Sequence, residues 1–276
     1  MRRRRIMIKR KWISGFFGFL ALLALPSLSL AYDNSPSNQI VIPECIWAAA
    51  TGGGTWVSEV QIIDRTGGSI VSCYFDYGTA WRHVVDIWTG PGALHSIKIS
   101  NMLSYLAGLD PSFAWYGKIG ALELYTQDAS HKISVAVKEY NGNYAKTMPG
   151  LVEFADSNSA FVSPWRAMII PNLDNNYLSR ATCGFFNPTG SSITVTIYIC
   201  NANFGATATI SKTIAGYNFV VFNPYTEAGK PYPTYSYTNQ YLYIFPESGS
   251  GKLICFGASA NNYTNDPGNH MAVQLD

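Results

Sequence analysis

The chain has four histidines, His83, His95, His131 and His270, the side-chain type most often recruited to move protons near neutral pH. None belongs to an H-E-x-x-H element or a close pair, so the sequence carries no visible preassembled metal site. The five cysteines, Cys45, Cys73, Cys183, Cys200 and Cys255, include no C-x-x-C spacing, and zinc-ribbon and thioredoxin-type chemistry are not signalled. The nucleophile elbow G-x-S-x-G is absent. Gly249-Ser250-Gly251-Lys252 superficially suggests a phosphate loop, but Pro246 stands where the first glycine is needed and Leu253 where Ser or Thr is needed. It reads as a hairpin turn. Asn172, Asp174 and Asn176 have the alternate spacing of a calcium loop, yet Tyr177 replaces the required glycine and Cys183 the closing acid. That segment and Asn265-Asp266-Pro267-Gly268 read as polar turns. No catalytic residue, metal or cofactor is expected, and a hydrolase would have to assemble its site from dispersed parts.

Aromatic loops are the remaining candidates for chemistry. Tyr225, Tyr232, Tyr235, Tyr237, Tyr241 and Tyr243 cluster with Pro231 and Pro233 in the second half. The corresponding stretch of the first half holds Tyr105, Phe113, Trp115 and Tyr116. Flat rings stack on the C–H faces of sugars while hydroxyls hydrogen-bond, so Trp115, Tyr116, Tyr232, Tyr235 and Tyr237 are the candidate ligand-binding residues. The competing reading has the same rings packing down to order their loops. Among the cysteines, Cys183 with Cys255 is the first candidate disulfide and Cys45 with Cys73 the second; Cys200 is the expected free thiol.

These residues are carried by strands. Ile193, Val195, Ile197 and Ile199 alternate with Thr194, Thr196 and Tyr198, the period of a half-buried strand. Further strands are expected over 41–48, 82–88, 94–100, 119–126 and 132–139, and one or two helical turns from Met102 to Leu106. Turn chemistry separates them at Thr66-Gly67-Gly68-Ser69 and Asn187-Pro188-Thr189-Gly190. The fold class expected is all-β.

Self-comparison finds the same module twice. Asp64 aligns with Asn187, Ser96–Asn101 with Asn218–Asn223, and Ile133–Val137 with Leu253–Gly257, at offsets of 123, 122 and 120. About seven short strands per unit point to two tandem antiparallel β-sandwich domains of immunoglobulin-like type. The expected boundaries are a leader at residues 1–31, a first unit at 32–156 and a second at 157–276, with the linker near Asp156-Ser157-Asn158-Ser159. In such a sandwich a bridge often joins facing strands at inward positions, which is where the alignment puts Cys183 and Cys255, in the places of Val60 and Val135 of the first unit.

The string Arg180-Ala181-Thr182-Cys183-Gly184-Phe185-Phe186-Asn187-Pro188-Thr189-Gly190 and the closing Ala258-Ser259-Ala260-Asn261-Asn262-Tyr263-Thr264-Asn265-Asp266-Pro267 resemble those of uncharacterised exported bacterial proteins with tandem β-sandwich units. The resemblance implies export and a paired sandwich, and supplies no catalytic residues. The first unit departs from it, with Asp64-Arg65 where the second has Asn187-Pro188.

Charge and address agree with an exported protein. A basic stretch, Arg2 to Lys11, precedes an apolar run from Ile13 to Leu25 and a small-residue exit at Ser29-Leu30-Ala31, the pattern of a secretory signal peptide. Seven of the 19 basic residues and none of the 17 acidic ones lie in residues 1–31, so the remainder has a net charge of −5. Such a chain lacks the basic footprint of a nucleic-acid binder. No later stretch reaches 18 uninterrupted apolar residues, and no membrane span is expected after the leader. Only 13% of residues are charged and 14% are aromatic, which excludes intrinsic disorder and a long helical bundle. The expected role is non-catalytic, in structure, adhesion or binding of a surface protein or glycan, in the periplasm, at the cell surface or outside the cell. A carbohydrate-binding module is the alternative.

Overall fold

The computed structural model describes residues 36–50, 53–78, 82–142, 144–149, 151–152, 167–203, 205–263, 267–271 and 273–274. The expected signal peptide, the linker at Asp156–Ser159 and the Thr264-Asn265-Asp266 part of the closing motif lie outside these residues. Ile193, Val195, Ile197 and Ile199 fulfil their alternation: all four are fully buried, with Thr194, Thr196 and Tyr198 half-buried between them. Branched side chains are stiff about χ1 and pack well on a pleated surface, which is why this run settles as strand.

In the first half the strands are β1 (Gln39–Ala49), β2 (Thr55–Asp64), β3 (Ile70–Asp76), β4 (Arg82–Trp88), β5 (His95–Ile99), β6 (Lys118–Thr126), β7 (Ile133–Asn141), β8 (Tyr144–Pro149) and β9 (Leu151–Val152). Helix α1 (Met102–Leu109) lies between β5 and β6. In the second half they are β10 (Met168–Ile170), β11 (Ser179–Asn187), β12 (Ile193–Asn201), β13 (Ala206–Ile214), β14 (Asn218–Phe222), β15 (Gln240–Gly249), β16 (Ile254–Asn261), β17 (Pro267–Met271) and β18 (Val273–Gln274). Helix α2 (Pro224–Glu227) follows β14. The fold is all-β and sandwich-like, with antiparallel ladders.

The nine strands of the first half form one sheet in the order β4-β3-β6-β1-β2-β7-β8, with β5 paired to β2 and β9 to β1. The register of β1 with β6 slips between Ile42 and Cys45. Pro43 sits in that slip, a place where the missing N–H costs no ladder bond. The second half splits the same succession into two sheets, β13-β12-β15-β10-β18 and β14-β11-β16-β17. Pairing is in step across the halves: Asp64 faces His95 as Asn187 faces Asn218, and Val60 faces Ile99 as Cys183 faces Phe222.

Two cores result, and one sheet serves both. Cys183, Phe185 and Cys255 of the β14-β11-β16-β17 sheet look into the second core with Ile197, Leu242 and Tyr225. Phe186, Phe219, Ile254 and Phe256 of the same sheet look the other way, into the first core beside Ile42, Leu122 and Trp115. Gly184 on β11 makes room for this: a Cβ there would lie 2.0 Å from the Phe256 ring. Each large apolar side chain buried in this way contributes roughly 1.5–3 kcal/mol.

The Gly249–Lys252 segment differs from the hairpin expected of it. It carries the chain from β15 in one sheet to β16 in another, because Gly251 N–H donates to Ser192 O instead of closing a two-strand turn.

Candidate functional site

An open groove of about 510 Å³ lies on the first half, between the ends of β4 and β5 and the start of α1. Its volume falls within the roughly 300–1,000 Å³ usual for ligand pockets. The rim carries Trp88, 60% exposed at the end of β4, and Tyr105, 42% exposed on α1. Lys98, Ser100, Asn101 and Ser104 supply its polar edge. Lys98 Nζ stands 3.0 Å from Glu59 Oε1, so its charge is already matched.

Local chemistry sets each wall. Trp88 lies on the outward phase of β4, since Val85 and Ile87 are the buried positions. The next residue, Thr89, is clamped: its N–H donates to Ser69 O at 3.0 Å and its hydroxyl to Asp64 Oδ2 at 2.6 Å. Asp64 is fully buried at the end of β2 and also accepts from the N–H groups of Thr66, Gly67 and Ser69. Burial opposes its ionisation, but the donors from Thr89, Gly67 and Ser69 prevail and hold the carboxyl well below the usual range. Helix α1 starts at Asn101, whose side chain accepts from Ser104 N–H at 3.1 Å. Met102, Leu103 and Leu106 anchor it in the first core, which turns Tyr105 outward.

The aromatic residues singled out from sequence divide among several environments. Trp115 is only 2% exposed; its indole N–H donates to Asp110 O at 2.8 Å and its ring packs on Phe75 and Phe113. It offers no face to a ligand, because loop ordering turned it into the first core. Tyr116 is exposed and meets Trp47 edge-on at 5.3 Å. Tyr237 stacks on the buried Tyr225 at 5.2 Å, and Tyr235 on Tyr237 at 6.4 Å with Lys230 Nζ over its ring. Tyr232 is exposed. Among the described residues no ring contact joins Trp115 or Tyr116 to Tyr232, Tyr235 or Tyr237, and Trp115 packs on the first core while Tyr237 packs on the second.

All five cysteines are free, buried thiols. Cys183 faces Gly257 and Cys255 faces Phe185, so the pair sits staggered on neighbouring strands of one sheet, not on facing strands across a sandwich. Cys45 and Cys73 lie on β1 and β3, with β6 between them. Burial pushes the thiols of Cys45, Cys73, Cys183 and Cys255 up, well above the ordinary value, so none is primed as a nucleophile.

Two histidine constellations resemble dispersed catalytic sets. His131 Nδ1 lies 2.8 Å from Ser69 Oγ, and its Nε2 is 3.8 Å from Asp128 Oδ2. Ser69 is only 1% exposed, so its hydroxyl locks the β2–β3 turn where a nucleophile would need access. His83 Nδ1 lies 3.0 Å from Asp110 Oδ2 and its ring stacks on Phe113 at 3.9 Å. Asp110 also accepts from Ser112, whose hydroxyl therefore points at the carboxylate and not at the imidazole. Asn172, Asp174 and Asn176 form a turn: Asp174 accepts from Asn239 N–H, and Asn176 from Leu178 and Ser179 N–H. Among the described residues no group of three or more His, Cys, Asp or Glu side chains is placed to hold a metal ion.

Two buried charge clusters were not foreseen. Lys146 Nζ lies 2.9 Å from both Glu44 Oε2 and Glu139 Oε2, and Ser58 donates to Glu139 Oε1. Burial, then the neighbouring Glu44, push the Glu139 carboxyl up to about 8 against the pull of Lys146. Glu44 and Lys146 line a cleft of about 330 Å³ whose other wall is Arg180, Thr182 and Phe256 of the second half. In the other cluster Arg82 pairs with the fully buried Asp76 and Glu123, and its guanidinium lies between the rings of Tyr74 and Tyr217, one from each half. The Arg82 cluster reaches across the two halves through Tyr217, whereas the partners of Lys146 all belong to the first half. Asp76 and Arg82 face each other across the β3–β4 hairpin, but Glu123 and the Glu44, Glu139 and Lys146 set come together only at long range.

Among the described residues no helix is long and apolar enough to cross a membrane. No protein-family model matches the chain, and no curated relative matches it.

Proposed function

We propose that this is an exported, non-catalytic binding protein built from two duplicated immunoglobulin-like sandwich units, with residues 1–31 as its signal peptide, 32–156 as the first unit and 157–276 as the second. The matching strand order and pairing of the two halves support the duplication. The basic stretch, apolar run and small-residue exit of residues 2–31 support the address. The partner is a surface protein or a glycan outside the inner membrane, not a nucleic acid.

The observation that carries the binding role is Trp88, a tryptophan left 60% exposed at the rim of an open groove. Large apolar side chains gathered at an open concave surface commonly mark interaction sites. The candidate catalytic sets weigh against an enzyme, because Ser69 is shut in and, among the described residues, His83 pairs with Asp110 and with no hydroxyl nucleophile.

The test is expression of the full chain in a bacterial host, followed by fractionation, N-terminal sequencing and a screen with generic ester, peptide and glycoside substrates. Processing after Ala31 and no turnover are expected. A product whose formation is lost in His83→Ala or His131→Ala would replace the binding reading with a hydrolase, and an unprocessed cytoplasmic protein would remove the export reading.

A further inference from the structure

We propose that the Trp88–Tyr105 groove is a binding site for a neutral saccharide chain. The inference rests on the binding reading above and assigns its ligand class.

Three observations converge on that chemistry. First, two aromatic rings stand at the rim of one groove, Trp88 on a strand end and Tyr105 on a helix, both with their bases fixed. Thr89 is held by Asp64 and Ser69 directly after Trp88, and Leu103 and Leu106 fix the helix on either side of Tyr105. Backbone held in this way keeps both rings at the rim, where a flat apolar face can settle on them. Second, hydrogen-bonding groups lie beside the rings without being spent inside the protein. Among the described residues the indole N–H of Trp88 and the hydroxyls of Tyr105, Ser100 and Ser104 have no intramolecular partner. The groove also runs along β5, which is paired to β2 on one side only, so its other edge presents backbone N–H and C=O groups. A ligand with a stackable face and hydroxyls around its rim matches both surfaces at once.

Third, the groove is electrically balanced. Lys98 is the one charged residue among its described lining, and Glu59 neutralises it at 3.0 Å. The start of α1, a natural anion site when open, is already capped by Asn101. A phosphate or uronate would therefore find no unmatched positive charge. A purely apolar guest, such as an acyl chain, would leave the polar edge of the groove desolvated and unpaired.

The second half does not repeat this arrangement. Its helix α2 is only four residues long, and Tyr225 within it is fully buried with its hydroxyl donating to Leu173 O. One saccharide site per chain is expected.

The test is calorimetric titration of the exported full chain with hexasaccharides of β-1,4-glucose, α-1,4-glucose, β-1,4-xylose, β-1,4-mannose and β-1,4-N-acetylglucosamine, with an oligogalacturonate as the charged control. At least one neutral probe should bind saturably with one site per chain. Trp88→Ala and Tyr105→Ala should each weaken it at least tenfold, and Trp88→Phe should restore most of the loss. Thermal melts of the variants matching the parent would show that the fold is intact. Binding unchanged in both alanine variants overturns the site. No binding by any neutral probe, or tighter binding of the oligogalacturonate, overturns the ligand class while leaving export and a protein partner standing. Cleavage of a probe during the titration would instead overturn the non-catalytic reading.

Discussion

Replacing Glu139 with glutamine should flatten the pH dependence of stability. The Glu139 carboxyl is fully buried, shares Lys146 with Glu44, and is pushed up to about 8 by that burial and by its acidic neighbour. In the unfolded chain a glutamate titrates near ~4.3. Across the interval the native state keeps a proton that the unfolded state has released, so stability is full below the unfolded value and falls as pH rises through the native one. At about 1.36 kcal/mol per pH unit the interval sets a ceiling of about 5 kcal/mol. The cluster titrates as a unit, so the part that Glu139 alone removes is on the order of 2–3 kcal/mol. Glutamine keeps the volume and can still accept from Ser58, whose own oxygen receives Ile46 N–H. The assay is urea unfolding followed by tryptophan fluorescence at about pH 5 and about pH 8. Wild type should lose stability between the two, and Glu139→Gln about 2–3 kcal/mol less. Some slope remains in the variant, because burial and the adjacent Glu123 push Asp76 up to about 8 as well. Identical slopes in the two proteins would refute the argument that the buried carboxyl is the source.

Asp64→Asn should cost on the order of 3 kcal/mol, since an amide nitrogen would face the Ser69 N–H and the Thr89 hydroxyl that now donate to Oδ2; denaturant midpoints measure this. Because the Asp64 carboxyl is held low, its contribution is present above the ordinary aspartate value and fades as pH falls below it, so the variant should lose that acid-side slope. Gly184→Ala should cost roughly 1–3 kcal/mol by driving a methyl group into the Phe256 ring, and a two-step melt in place of one cooperative transition would mark loosening of the shared core. The cysteines should resist a maleimide in the native state and yield five adducts per chain after unfolding without reductant, counted by mass spectrometry. Three adducts would show one disulfide.

How far the sequence reveals this molecule depends on the range of the interaction concerned. Period-two alternation and turn residues act locally, and they locate β4, β5, β6 and β7 to within a few residues. The helix expected from Met102 to Leu106 runs to Leu109. The alignment of Asp64 with Asn187 reflects a shared local device: each side chain accepts from the backbone two residues on and folds the turn beneath it. Phase was legible and partner was not. Alternation puts Cys183 and Cys255 inward, but only the ladder shows that both belong to the same sheet. Phe186 and Phe256 fall on the opposite phase, which on a two-layer sandwich faces solvent; here that face is buried because the β14-β11-β16-β17 sheet lies between two cores.

The binding residues illustrate the same limit from the other side. Trp115 lies in an aromatic-rich loop, and composition marks it as an available ring, yet whether such a ring turns in or out depends on what lies beneath the loop. Phe75 and Phe113 lie there, and Trp115 packs on them. Trp88 is a single tryptophan at a strand end and draws no attention by composition. Its signal is phase: with Val85 and Ile87 inward, Val84, Asp86 and Trp88 must point outward. An outward tryptophan followed by a residue clamped to a buried carboxylate is an exposed ring on a fixed backbone, and the clamp is legible only as Asp64 before a glycine-rich turn. The groove around it needs β5 and α1 as well, brought alongside by a β4–β5 turn whose Gly92 packs so closely on Gly67 that a Cβ on Gly67 would lie 2.3 Å from it. The turn chemistry that the sequence displays openly is thus what holds Trp88 and its groove in place, although nothing in those turns names the ligand.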